Sequence, residues 1–141
     1  CFKIESAQAA SKIRALIKNC HSKLDAPFDG EESITLYADL EAGISGSMSS
    51  ALLPEKIAPV IEYFLNDQKE KAEETYNHIL PLINFENRQC GFRGTKTVMK
   101  EGGVIKSDFC RHPIKPLDEN TKKLLFSFAK KHDLLTYKWG K

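Results

Sequence analysis

Between Cys1 and Ser50 the chain alternates short extended stretches with helix-patterned ones, and this alternation constrains the fold more than any other feature. In Cys1-Phe2-Lys3-Ile4-Glu5, Phe2 and Ile4 fall on one side of an extended segment and Lys3 and Glu5 on the other. Ser6 is a good N-cap residue. Ala9, Ile13, Leu16, Ile17 and Cys20 then recur at helical spacing, so a helix should end near Asn19 to His21. Leu24 to Phe28 reads as a second strand, closed by the turn signal Asp29-Gly30. Glu31, Glu32 and Ser33 open a second helix, with acids favourably placed in its first turn. Ile34, Leu36, Tyr37 and Leu40 are its apolar positions, and Gly43 stops it. Ile44 to Met48 reads as a third strand. Strand, helix, strand, helix, strand is a βα repeat, which implies a parallel sheet with helical crossovers.

After Pro54 the pattern is helical only. Ile57, Val60, Ile61, Phe64 and Leu65 mark one helix, and Ala72, Tyr76, Ile79, Leu80 and Ile83 the next. A shorter helix spans Phe92 to Lys100 and ends at Gly102-Gly103. Val104 to Leu117 reads as an extended loop, and Asp118 caps a last helix carrying Leu124, Leu125, Phe128 and Ala129. A closed (β/α)8 barrel needs about 200 residues or more. A chain of 141 residues holds no more than about its last three βα units and extra helices. The expected fold is therefore α/β, with the βα units in residues 1–66 followed by a C-terminal helical region in residues 67–141. The chain opens directly on a strand-like stretch with no initiator Met, which reads as a start inside a larger fold.

Composition narrows the classes. A formal charge of +2 predicts neither nucleic-acid nor membrane binding, and no apolar run is long enough to span a bilayer. Cys1, Cys20, Cys90 and Cys110 show no C-x-x-C pair and no dense scaffold spacing, so reduced thiols in a cytoplasmic protein are expected. His21, His78, His112 and His132 are scattered, and no metal site is expected.

Lys3 and Glu5, at the end of a parallel strand, would face a barrel interior near its catalytic rim. A lysine desolvated there has a lowered pKa and a free amine that attacks a ketone, and the resulting imine acts as an electron sink. Glu5 would hold substrate hydroxyls or assist proton transfer. By pattern alone, a lysine at a strand end is more often plainly solvated. Gly30 allows close backbone approach, and a helix starting behind it offers N–H groups to a carboxylate, or makes an ordinary strand-to-helix turn. Ser45 and Ser47, in Gly43-Ile44-Ser45-Gly46-Ser47, either line a pocket or pack tightly. Asn84 to Gln89 reads as a helix end facing water or another subunit, and Arg111-His112-Pro113 as a loop held by an arginine hydrogen bond or an anion site.

Phe2-Lys3-Ile4-Glu5 resembles the strand-six segment of the dihydrodipicolinate synthase/N-acetylneuraminate lyase family, where the imine-forming lysine sits. Asp29-Gly30-Glu31-Glu32 is similar to its strand-seven segment, and Gly43-Ile44-Ser45-Gly46-Ser47 to its strand-eight segment. Arg111-His112-Pro113-Ile114-Lys115-Pro116-Leu117 resembles the R-x-P-x-x-P-L segment before the last helix. Lys3-Ile4-Glu5, Leu82-Ile83-Asn84, Glu86-Asn87-Arg88-Gln89, Glu101-Gly102-Gly103-Val104-Ile105 and Trp139-Gly140 look most like the L-2-keto-3-deoxyarabonate dehydratase branch. Ser45 stands where many relatives have Ile, and Met48 where many have Thr.

The resemblance implies a (β/α)8 barrel with a helical C-terminal region, a homotetramer, and no metal or organic cofactor. It implies Lys3 as Schiff-base former, with Glu5, Gly30, Glu32, Ser45 and Ser47 in contact with a small-molecule 2-keto acid. The implied reaction is dehydration of L-2-keto-3-deoxyarabonate to 2,5-dioxopentanoate. A pyruvate-dependent aldolase or dihydrodipicolinate synthase-like enzyme of the same family is the alternative. From other classes come a non-catalytic helical interaction module and a lipoprotein anchored through Cys1. The family's paired strand-two hydroxyl residues and strand-five tyrosine have no counterpart between Cys1 and Lys141, and Tyr37, Tyr63, Tyr76 and Tyr137 fall in helices or the tail. The 141-residue chain is therefore expected to be inactive alone.

Overall fold

The computed structural model describes residues 1–20, 23 and 25–141. The chain forms two compact units, one of Cys1–Ser49 with Lys56–Leu80, the other of Ser50–Glu55 with Pro81–Lys141.

The first unit contains β1 (Lys3–Ile4), α1 (Ala9–Cys20), β2 (Phe28–Asp29), α2 (Leu36–Glu41) and β3 (Gly46–Ser47). Most of α3 (Pro54–Leu65) and of α4 (Lys69–Phe85) also belongs to it. The strands lie in the order β1-β2-β3, all parallel, with Lys3, Phe28 and Gly46 in one register row and Ile4, Asp29 and Ser47 in the next. This is the βα alternation expected from the sequence. Ala9 and Ile13 are the buried residues of α1, and Leu36 and Leu40 lie on the buried face of α2. Burying a side chain such as Ile13 or Leu36 contributes about 1.5–3 kcal/mol.

Local boundaries depart from the sequence reading for identifiable reasons. The first helix begins at Ala9 rather than after Ser6, because Gln8 takes a left-handed φ of 61°. The Ser6 hydroxyl instead accepts a hydrogen bond from Lys12 Nζ at 2.9 Å. The expected end of that helix at His21 lies outside the described residues, as does Leu24 at the start of the expected second strand; the observed strand is Phe28–Asp29. The second helix begins at Leu36, not at Glu31. Glu32 and Ser33 have φ of 55° and 69°, so the segment between β2 and α2 is a wound turn whose N–H groups are used locally.

In the second unit α4 ends at Phe85 and runs into a π-helical turn, Glu86–Cys90. The expected water-facing helix end is therefore corrected at Glu86, which is 3% exposed and accepts a hydrogen bond from the Thr95 hydroxyl at 2.7 Å. α5 (Phe92–Glu101) and α6 (Glu119–Lys131) follow, then a 3-10 turn, Leu135–Tyr137. Leu52, Leu82, Val98, Leu125 and Leu134 form its core. Asp118 caps α6 as expected, accepting from the N–H groups of Asn120 and Thr121 at 3.1 and 3.0 Å. The 104–117 loop is anchored by Arg93 rather than Arg111: Arg93 Nη1 donates to the Lys115 carbonyl at 2.8 Å. Arg93 lies in α5, one turn from the π segment, and its reach to the loop is a tertiary contact that local pattern does not contain. All four cysteines are free thiols. Among the described residues, no helix is long and apolar enough to cross a membrane.

Candidate active site

The C-terminal ends of the three parallel strands present Glu5, Gly30 and Met48, the edge at which parallel α/β sheets bind ligands. Sheet geometry brings Lys3, Glu5 and Gly30 together. The Gly30 N–H donates to the Ile4 carbonyl at 2.8 Å, so the backbone after β2 runs against the end of β1. A Cβ at Gly30 would lie 2.7 Å from Lys3 Cγ and 2.8 Å from the Ile4 carbonyl oxygen. Glycine is needed here for close approach, not for a positive φ.

Lys3 Nζ is hydrogen-bonded and ion-paired to the Glu5 carboxylate, with side-chain exposures of 36% and 58%. This corrects the expectation of a desolvated lysine of lowered pKa. The Glu5 hydrogen bond outweighs the small desolvation, Glu32 and Asp29 add favourable charge interactions, and the pKa of Lys3 is raised. The two residues share a strand face, so the carboxylate stabilises the ammonium.

Glu32 lies within electrostatic reach of Lys3, on the wound turn after β2. Asp29 sets the shape of that turn. Its carboxylate is fully buried and accepts from the N–H groups of Glu31 and Ser33, each at 3.0 Å. The Ser47 hydroxyl also donates to Asp29, at 2.7 Å, and lies 2.8 Å from the Ser33 hydroxyl. Ser47 thus sits in the Asp29 register row, adjacent to the row of Lys3. Ser45 is exposed and donates to the Ala26 carbonyl at 3.3 Å, so it is not joined to the Lys3 group by any of these bonds.

Three supporting residues escaped the sequence reading in this role. Asp29 was visible as a turn residue, and its signal as an anchor is the Asp-x-x-x-Ser spacing that lets a carboxylate take N–H groups two and four residues on. Asp39 is a carboxyl in phase with Leu36 and Leu40 on the buried side of α2. Tyr76 donates its hydroxyl to the Ser33 carbonyl at 3.1 Å and to the Ile34 carbonyl, and no sequence signal links it to that turn. Burial raises the Tyr76 pKa, so it remains a donor at any ordinary pH.

A short parallel βα sheet with a lysine and carboxylates gathered at its strand ends defines the chain first as an α/β domain with a ligand-type strand edge. The family follows from sequence comparison. The dihydrodipicolinate synthetase family matches residues 4–132, and the chain belongs to that family. The L-2-keto-3-deoxyarabonate dehydratase of Azospirillum brasilense is 43% identical over 139 residues, which cover 99% of this chain and 45% of that protein. The chain thus spans about half the length of this curated relative. Among solved structures, dihydrodipicolinate synthase from Thermotoga maritima superposes with a TM-score of 0.78 at 22% identity, over 92% of this chain and 44% of that one. N-acetylneuraminate lyase from Fusobacterium nucleatum gives 0.78 at 18% identity, over 92% and 43%. At those identities the likeness concerns the fold.

Proposed function

We propose that Lys3 is the Schiff-base lysine of a lyase acting on 2-keto-3-deoxy sugar acids, and that the reaction is dehydration of L-2-keto-3-deoxyarabonate to 2,5-dioxopentanoate. One observation carries this reading: Lys3 is paired with Glu5 and packed against Gly30 at the end of a parallel strand. The 43% identity to an enzyme named for that dehydration supports the choice of reaction. In this reading β1, β2 and β3 are the last three βα units of a (β/α)8 barrel, in residues 1–66, and residues 67–141 are the C-terminal helical region. The whole enzyme is a cytoplasmic homotetramer.

Neutral Lys3 attacks C2 of the keto acid, and water leaves to form the protonated imine. That cation accepts the electron pair released when a C3 proton is removed, and a hydroxyl then departs as water. Hydrolysis of the imine returns the first water, so one water is lost overall. Glu5, hydrogen-bonded to Lys3, assists proton transfer in this reading. Glu5 and Glu32 contact substrate hydroxyls, Gly30 lets the backbone after β2 approach Lys3 closely, and Ser47 holds the Asp29 turn beside them.

The test is reductive trapping with borohydride in the presence of pyruvate or a 2-keto-3-deoxy acid, in a polypeptide of the relatives' length. The adduct is expected on Lys3, with turnover lost in Lys3→Ala. Labelling at another lysine, or undiminished turnover in Lys3→Ala, refutes the assignment. Product analysis separates the reactions: pyruvate plus an aldehyde means aldolase, a dioxo acid means dehydratase.

A further inference from the structure

We infer that Tyr76 is a positioning residue for Lys3: its hydroxyl clamps the turn after β2 to α4, and that turn is the wall against which the Lys3 side chain lies. The inference deepens the proposed function and rests on its reading of Lys3 as the amine that attacks the keto acid.

Lys3 meets the turn at Gly30. The Gly30 N–H donates to the Ile4 carbonyl at 2.8 Å, and a Cβ on Gly30 would lie 2.7 Å from Lys3 Cγ and 3.0 Å from Glu5 Cβ. Both stems of the ion pair therefore rest on this one backbone position. The residues after Gly30 fix where it sits. Glu32 and Ser33 both have left-handed φ, a conformation that residues with side chains keep only where their surroundings impose it. Ser33 is the knot of the turn and is fully buried. Its N–H donates to Asp29 at 3.0 Å, its hydroxyl lies 2.8 Å from that of Ser47, and its carbonyl accepts from the Tyr76 hydroxyl at 3.1 Å. Tyr76 shares the same hydroxyl hydrogen with the Ile34 carbonyl.

Asp29 and Ser47 hold the turn from the strands beneath it, whereas Tyr76 reaches it from α4. Tyr76 is 6% exposed and its ring stacks on Tyr37 with centroids 6.4 Å apart, so the hydroxyl is presented from a packed side chain. Removing that hydroxyl takes a donor from two carbonyls, one of them in a buried bond. The Leu36 N–H, at 3.4 Å from the Ser33 carbonyl oxygen, is a poor replacement. A turn that shifts to find other partners moves Gly30, and the Lys3 stem loses its wall. Misplacing an attacking group by about 1 Å costs up to about a hundredfold in rate.

The test compares wild type, Tyr76→Phe and Tyr37→Phe in a polypeptide of the relatives' length. Imine formation with pyruvate is quenched with borohydride at increasing times. The time course gives a rate constant, and its amplitude counts the folded, reactive sites. Tyr76→Phe should lower the rate constant at saturating pyruvate by roughly tenfold or more. The half-saturating pyruvate concentration should stay within about twofold of wild type, since a buried Tyr76 makes no contact with substrate. Tyr37→Phe removes a hydroxyl from the same stack, one that reaches the Lys69 carbonyl at 3.5 Å, and should keep the wild-type rate constant. A smaller amplitude with an unchanged rate constant, or no folded sites at all, would make Tyr76 a stability residue and overturn the inference. An equal loss of rate in Tyr37→Phe would overturn it too. A wild type that forms no adduct on Lys3 sinks the proposed function and this inference with it, whereas a wild-type adduct formed as fast in Tyr76→Phe sinks this inference alone.

Discussion

Glu5 stabilises the Lys3 ammonium, whereas the proposed imine formation requires the neutral amine, so the proposed reaction should respond to pH through this pair. Replacing Glu5 with Gln removes the largest stabiliser of the ammonium. The Lys3 pKa should then fall, and the ε-methylene titration followed by NMR should move to lower pH. An unchanged midpoint would mean that the pair seen here is not formed in solution. A raised lysine pKa contributes stability below the unfolded value that is lost as pH rises through the folded one. On an exposed pair this contribution is small. Strand parity made Lys3 and Glu5 legible as neighbours, because residues two apart share a face. The sign of the shift was not legible, since it depends on how much solvent and charge surround the pair.

At the scale of elements, the helices were read well and the turns poorly. Periodic apolar positions place a helix whatever lies around it, and Asp118 caps α6 through N–H groups two and three residues away. The turn after β2 was read as the start of a helix because Glu31 and Glu32 suit a first turn. Asp29 uses the N–H groups of Glu31 and Ser33 instead, and Tyr76 holds the carbonyls of Ser33 and Ile34. Gly102 shows the same limit in the second unit. Gly102-Gly103 reads as a helix stop, yet the Gly140 N–H also donates to the Gly102 carbonyl at 2.8 Å, and a Cβ on Gly102 would collide with the Thr136 carbonyl oxygen. Gly102→Ala must shift backbone, so a loss of about 1–3 kcal/mol is expected from urea unfolding of the chain. A stability within error of the wild type would show that the tail is not packed there.

For the whole molecule, family membership and activity separate. Residues 4–132 match the family, yet the chain spans 45% of its dehydratase relative. The proposed chemistry needs a carboxylate-binding hydroxyl pair and a proton-relaying tyrosine, which the family resemblance assigns to segments without a counterpart in these 141 residues. Turnover of a 2-keto-3-deoxy acid by this chain alone is therefore expected to be absent, while a polypeptide of the relatives' length is active. Product formation by the isolated chain, measured with a dioxo-acid assay, would refute that.

By itself the sequence determined the βα alternation, the helical second half, the Asp118 cap, and the placing of Lys3 beside Glu5. Each depends on residues a few positions apart, where backbone geometry alone dictates the neighbour. Only the tertiary structure decided that Asp29 meets Ser47, that Tyr76 holds the carbonyls of Ser33 and Ile34, and that Glu86 is buried on Thr95. The physical reason is that a buried polar group must find a partner, and packing chooses which distant residue supplies it.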